Sequence, residues 1–186
     1  MSSISTYIFE KNDSITIDDC KKIIALFNGD IRREPGKTSQ GIVSKKVSSD
    51  LCIPASGDWA ALSTVIDEAI EQAIGQFMLK HKSFELLREA GNICITKPQL
   101  QHYKKNEGYF DWHIDSYPDD NRILAVIIYL NDVTEGGETL FHDGSEVIPE
   151  GGKLVAFPPY WNYMHKGNTP LSEDKYIITC FAELSM

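Results

Sequence analysis

No stretch of this sequence is apolar for long. "ILAVIIYL" is the longest such run, far short of the roughly 20 residues a membrane helix needs. The opening "MSSISTYIFEKNDS" lacks the basic start and apolar run of a secretory signal, so a cytoplasmic, intracellular protein is expected, without a membrane partner. Cysteine is sparse: Cys20, Cys52, Cys94 and Cys180 lie far apart with no CxxC pair. That argues against a disulfide scaffold and a closed cysteine zinc site, and predicts four free thiols. Positive charge is also short, with 18 Lys and Arg against 27 Asp and Glu and a net charge of −9. A polyanion is repelled at long range by such a chain, so nucleic acid is not an expected partner. Internal repeats, low-complexity segments and inter-domain linkers are absent as well. At 186 residues the chain reads as one domain over 1–186, with 1–91 as support and 92–186 as the catalytic core. Oligomeric state is left open.

The first third carries helical signals. "STYIFE" suits a short strand. In "ITIDDCKKIIALFNGD", Thr16 is a candidate N-cap, acidic residues fill the first turn, and Ile23, Ile24, Leu26 and Phe27 supply an apolar face. Residues 30–57 form a long polar connection. "DWAALSTVIDEAIEQAIGQFMLK" then puts Trp59, Leu62, Val65, Ile66, Ile70, Ile74, Phe77 and Met78 on one helical stripe, which is a core face. After Gly91 the pattern changes to short β-branched and aromatic runs bounded by turn residues, among them "ICITKPQLQHY", "RILAVIIYLN", "GKLVAFP" and "KYIITCFAEL". Seven or eight such strands predict an antiparallel barrel or sandwich, braced on one face by the helices.

Within "GYFDWHIDSYPDD", His113 and Asp115 are two apart, so strand alternation would project both to one side. Two residues do not complete a transition-metal site. The other histidines are His81, His102, His142 and His165, and His165 closes "YWNYMH", where alternation would align Trp161, Tyr163 and His165. Two imidazoles and one carboxylate make the facial triad suited to non-haem Fe(II). Ten residues later Lys175 opens "KYIITCF". Pointing inward with Ile177 and Thr179, its ammonium would need an anion, and a dicarboxylate would serve. In "RILAVIIYLND", Ala125, Ile127 and Tyr129 share a face, and the Tyr129 hydroxyl is a candidate donor to the same carboxylate.

Over residues 92–183 the sequence resembles the prolyl-4-hydroxylase-like branch of the 2-oxoglutarate/Fe(II) dioxygenases. The resemblance runs in order through "QHYKKNEGYFDWHID", "R…YLNDVTEGGETLF", "VIPEGGKLVAFP" and the final His165 and Lys175. It implies an α+β, mainly β fold: a double-stranded β-helix, or jelly-roll barrel, braced by N-terminal helices. It implies His113, Asp115 and His165 as iron ligands, Lys175 on the distal carboxylate of 2-oxoglutarate, and Tyr103 and Tyr129 as hydrogen-bonding partners of that co-substrate. Gly136 and Gly137 match the turn before the strand of Thr139 and Phe141, where glycine accepts positive φ. Fe(II), 2-oxoglutarate and O2 are the implied cofactors, with ascorbate as an optional addition. The implied reaction hydroxylates a C–H bond, here of a prolyl residue in a peptide or protein, and gives succinate and CO2. Asp115 agrees with hydroxylation, since halogenating relatives lack that carboxylate. This sequence departs from the pattern at Ala125, where many relatives have Thr, and at Phe181, which replaces a frequent Trp.

Other substrates stay open: a free amino acid, another small molecule, or a nucleobase, the last opposed by the acidic charge and by lysine rather than arginine at 175. A cupin-like ligand-binding barrel is the non-enzymatic alternative, although HxD is not the HxH such barrels show. One local feature runs against the overall charge. Residues 31–50 hold Arg32, Arg33, Lys37, Lys45 and Lys46 against Glu34 and Asp50. This island is read as a lid over the metal, with Arg32, Arg33 and Lys37 as candidate contacts for the prime substrate.

Overall fold

The computed structural model describes residues 7–38, 41, 44–117 and 120–185. The first residues of "STYIFE" and positions 39, 40, 42 and 43 of the long connection lie outside that set. Strand β1 (Phe9–Lys11) leads into helix α1 (Ile17–Gly29). Thr16 caps α1 as its sequence predicts, its hydroxyl accepting from the Asp19 amide at 3.1 Å. The connection that follows is not featureless, because it carries β2 (Glu34–Pro35), β3 (Lys46–Val47) and β4 (Ser49–Cys52). Short, charged strands of this kind have no hydrophobic alternation to betray them, and pairing with neighbours is what makes them strands.

Helix α2 (Ala60–Lys80) buries Leu62, Ile66, Ile70, Ile74 and Phe77 on one face, with Val65 and Met78 half-buried at its margin. Helix α3 (Ser83–Ala90) follows, and the remaining strands are β5 (Asn92–Ile95), β6 (Gln99–Tyr103), β7 (Tyr109–His113), β8 (Arg122–Tyr129), β9 (Thr139–Phe141), β10 (Glu146–Val147), β11 (Leu154–Phe157), β12 (His165–Gly167) and β13 (Lys175–Ser185).

These strands form two antiparallel sheets. The larger has the order β1-β11-β8-β13-β6-β4-β2, with β5 also on β13, and the smaller has the order β10-β9-β12-β7-β3. The arrangement is the jelly roll expected from the sequence. Strand β8 shows why the two faces differ. Leu124, Val126 and Ile128 pack with the helices, whereas Ala125, Ile127 and Tyr129 face the interior between the sheets. Burying each large side chain of this kind stabilises the fold by about 1.5–3 kcal/mol. The helices therefore brace the outer face of the larger sheet, and the inner face is left to line a cavity.

"YWNYMH" is not the strand its alternation suggested. Trp161–Tyr163 form a 3-10 turn, with Trp161 79 % exposed and Tyr163 3 %, so the two do not share a face. The preceding Pro-Pro pair breaks the strand, and β12 starts only at His165. The four cysteines are free thiols, as expected. Among the described residues no helix is long and apolar enough to cross a membrane.

Candidate active site

The smaller sheet brings the two imidazoles together by register. His165 in β12 pairs directly with His113 in β7, and their rings sit 4.2 Å apart between centroids. Asp115 arrives by another route than alternation. β7 ends at His113, and the chain bends so that the amides of Asp115 and Ser116 both donate to the carbonyl of Pro159, at 3.1 and 3.0 Å. Arg122 fixes the same bend by donating to the Asp115 carbonyl at 2.6 Å. One carboxylate oxygen then lies 3.6 Å from His113 Nε2 and the other 3.6 Å from His165 Nε2. All three ligand atoms fall within 4.8 Å of one another.

Backbone carbonyls set the tautomers. His113 Nδ1 lies 2.8 Å from the Asp111 carbonyl and His165 Nδ1 lies 3.0 Å from the Tyr163 carbonyl. A carbonyl only accepts, so each Nδ1 carries the proton and each Nε2 turns a lone pair toward the carboxylate. Burial, with His165 close by, lowers the His113 pKa to about 4 and keeps this ring neutral, as a metal ligand must be. The ring also stacks on Phe110, 3.5 Å between centroids. Two imidazoles and a carboxylate, oriented this way at a cavity wall, fit a divalent iron ion.

The cavity has a volume of about 410 Å³ and includes the triad, Lys175, Tyr103 and Thr139 in its lining. Lys175 is buried, as an inward orientation requires, and its ammonium donates to the Gly137 carbonyl at 2.8 Å and lies 5.0 Å from the centre of the Tyr103 ring. Burial lowers its pKa to about 8, with Glu138 opposing that shift. Gly136 and Gly137 do take positive φ, +71° and +76°. Tyr129 is fully buried and lies behind the lining, its hydroxyl 2.7 Å from that of Thr139. Thr139 is thus the cavity-facing member of that pair, a residue missed although it sits inside "GGETLF". Tyr103 lines the wall, and burial, with Asp50 and Asp115 nearby, pushes its pKa well up.

The basic island divides. Arg32 forks onto Asp30 at 2.9 and 2.6 Å, and Arg33 donates to the Asp30 carbonyl with its guanidinium over Phe27. Neither lines the cavity, whereas Lys37, Lys45 and Lys46 do. Lys37 is ion-paired with Glu34. Lys46 is buried against Asp50 at 2.7 Å, and Ser48 donates to the other Asp50 oxygen. Lysine and aspartate four apart at the end of an unpatterned loop gave no sign of a buried pair.

Residues 98–183 match the family model for the 2OG-Fe(II) oxygenase superfamily. Prolyl 4-hydroxylase 5 of Arabidopsis thaliana is 34 % identical over 74 residues, 37 % of this chain and 23 % of that protein, so the match spans under a quarter of the curated relative. A prolyl hydroxylase from Trichoplax adhaerens, solved with a hypoxia inducible factor peptide fragment, superposes with a TM-score of 0.78 at 15 % identity, covering 96 % of this chain and 84 % of that one. The viral collagen prolyl hydroxylase of Paramecium Bursaria Chlorella virus-1 superposes at 0.68 and 19 % identity, covering 96 % and 97 %. At such identities the superpositions speak for the fold. Residues 98–183 are thus similar in sequence to the 2OG-Fe(II) oxygenase superfamily, and the fold and the converging triad agree with that similarity.

Proposed function

We propose that the protein is a 2-oxoglutarate- and Fe(II)-dependent dioxygenase that hydroxylates a prolyl residue in a peptide or protein, releasing succinate and CO2. The observation that carries this reading is a single cavity holding both the His113–Asp115–His165 cluster and the buried ammonium of Lys175. Iron with 2-oxoglutarate and O2 would supply the oxidising power that puts a hydroxyl on a C–H bond. His113, Asp115 and His165 would hold the ion, with the Asp111 and Tyr163 carbonyls keeping the ring nitrogens correctly protonated. Lys175 would bind the distal carboxylate, because a buried ammonium gains most from an anion. Thr139, backed by Tyr129, is placed to add a hydroxyl to that contact. This is orientation of a bound acid rather than proton transfer.

Residues 1–186 act as one unit in this reading, and the free thiols suit a cytoplasmic site of action. A peptide substrate is supported by the relatives, one of which was solved with a peptide, and by the aromatic mouth of the cavity, where Trp112 and the half-exposed Tyr117 offer faces for a proline ring. The test is succinate formation from 2-oxoglutarate with Fe(II), followed by a mass-spectrometric search for one added oxygen on proline-containing peptides and on free amino acids. Succinate without any modified peptide would turn the reading to a small-molecule substrate. Ligand binding with no succinate would turn it to a non-enzymatic barrel.

A further inference from the structure

One polar side chain in the cavity wall has no part in the function just proposed. Gln101 is 6 % exposed and sits in the middle of β6, between Gln99 and Tyr103 on the same face. β6 pairs with β13 so that Tyr103 opposes Lys175, Gln101 opposes Ile177 and Gln99 opposes Thr179. The Gln101 amide uses both its ends there. Its Oε1 accepts from the Tyr103 hydroxyl at 2.7 Å, and its Nε2 donates to Thr179 Oγ1 at 3.1 Å. In this orientation Nε2 also donates to Gln99 Oε1 at 3.2 Å.

The chemistry of the amide decides where both hydroxyl protons go. An amide oxygen only accepts, so Tyr103 must spend its one proton on Gln101 and can offer the cavity lone pairs alone. An amide nitrogen only donates, so Thr179 must accept from it and keeps its own proton available. Thr179 is half-buried and lines the cavity, as Tyr103 does. We infer that Gln101 is a positioning residue that sorts these two hydroxyls, making Tyr103 an acceptor and Thr179 the donor to a carboxylate bound in the cavity. An ionised carboxylate accepts only, so it is repelled by an oxygen whose proton is already committed and attracted by one whose proton is free. The inference rests on the co-substrate reading above and changes it at one point: Tyr103, the matched family position, is not the donor here.

The experiment measures 2-oxoglutarate binding by calorimetry with Mn(II) in place of iron, so that no turnover is needed. Thr179→Val should weaken binding roughly 10- to 100-fold, the loss of one hydrogen bond to a charged group, while Tyr103→Phe should change it less than about threefold. In a Gln101→Leu background the Tyr103 proton is released, and Tyr103→Phe should then cost tenfold or more. Equal losses for the two single variants in the wild-type background would overturn the sorting, as would no loss for either. An unchanged cost of Tyr103→Phe in the Gln101→Leu background would remove Gln101 from the role. If wild-type protein bound no 2-oxoglutarate, the co-substrate reading itself would fall and this one with it. That failure is told apart because every variant would be equally silent.

Discussion

The ammonium of Lys175 rests on the backbone carbonyl of Gly137, 2.8 Å away, in a site where its pKa falls to about 8. The carbonyl satisfies one of three N–H groups and brings no counter-charge, and Glu138 only partly offsets the burial. A dicarboxylate supplies the missing anion. Lys175→Ala should therefore weaken 2-oxoglutarate binding by on the order of 2–5 kcal/mol while leaving metal binding little changed. The sign with pH follows. Below about 8 the amine is charged and binding is at full strength, and above it affinity should fall by about tenfold per pH unit. For stability the direction is opposite. Between about 8 and the ordinary value of 10.5 the unfolded chain binds more protons at this residue, so the burial penalty is relieved as pH rises. Calorimetric titrations across pH 7 to 10, with the flat profile of Lys175→Ala as control, check the binding arm.

Replacing His113, Asp115 or His165 by alanine should abolish iron-dependent succinate formation and weaken Mn(II) binding, with circular dichroism unchanged. The bend at Asp115 is held by backbone atoms, through Pro159 and Arg122, so loss of its carboxylate leaves the local chain in place. Near-normal turnover in any one variant would exclude that residue from the site.

Lys46 and Asp50 join the two sheets at the cavity edge, since β3 belongs to the smaller sheet and β4 to the larger. Asp50→Ala leaves a buried ammonium without its counter-charge and should cost about 3–5 kcal/mol in urea unfolding. The double variant Lys46→Met, Asp50→Leu should recover most of that loss, because two apolar side chains need no partner. A double variant as unstable as the single one would mean that the pair contributes packing, not charge balance.

Gly136 and Gly144 both have positive φ, +71° and +88°, but differ in what surrounds them. A Cβ at Gly136 would stand 2.4 Å from the Thr169 carbonyl oxygen, whereas one at Gly144 meets nothing within 4 Å. Gly144→Ala should cost the backbone term alone, about 1–2 kcal/mol, and Gly136→Ala clearly more. Equal thermal shifts for the two would show that the turn before β9 gives way freely.

Charge reversal at Lys37 and Lys45, which line the cavity, should lower peptide hydroxylation and spare the substrate-independent conversion of 2-oxoglutarate to succinate. Reversal at Arg32 should leave both activities alone and lower the unfolding midpoint, because its partner Asp30 also receives the Trp59 indole N–H and ties α1 to the start of α2. A loss of peptide hydroxylation in the Arg32 variant would bring the arginine back into the substrate path.

The sequence determined what is written locally. The helical stripe of α2, the Thr16 cap, the glycine turn before Thr139, and the order and spacing of His113, Asp115, His165 and Lys175 are all carried by near neighbours. Short-range geometry and side-chain type suffice to read them. The inward face of Lys175 was legible too, because it alternates with Ile177 and Thr179 in a run long enough to define a strand. Tertiary structure decided the rest. Arg32 and Arg33 look like any other members of a basic loop until folding places Asp30 and Phe27 beside them. Trp161 and Tyr163 alternate on paper, yet a 3-10 turn sends one to solvent and the other to the core. The direction of a hydroxyl proton at Tyr103 or Thr179 depends on Gln101 reaching a residue 78 positions away. Only the register of β6 on β13 fixes that contact, and register is set by the packing of whole sheets, not by any neighbour in the chain.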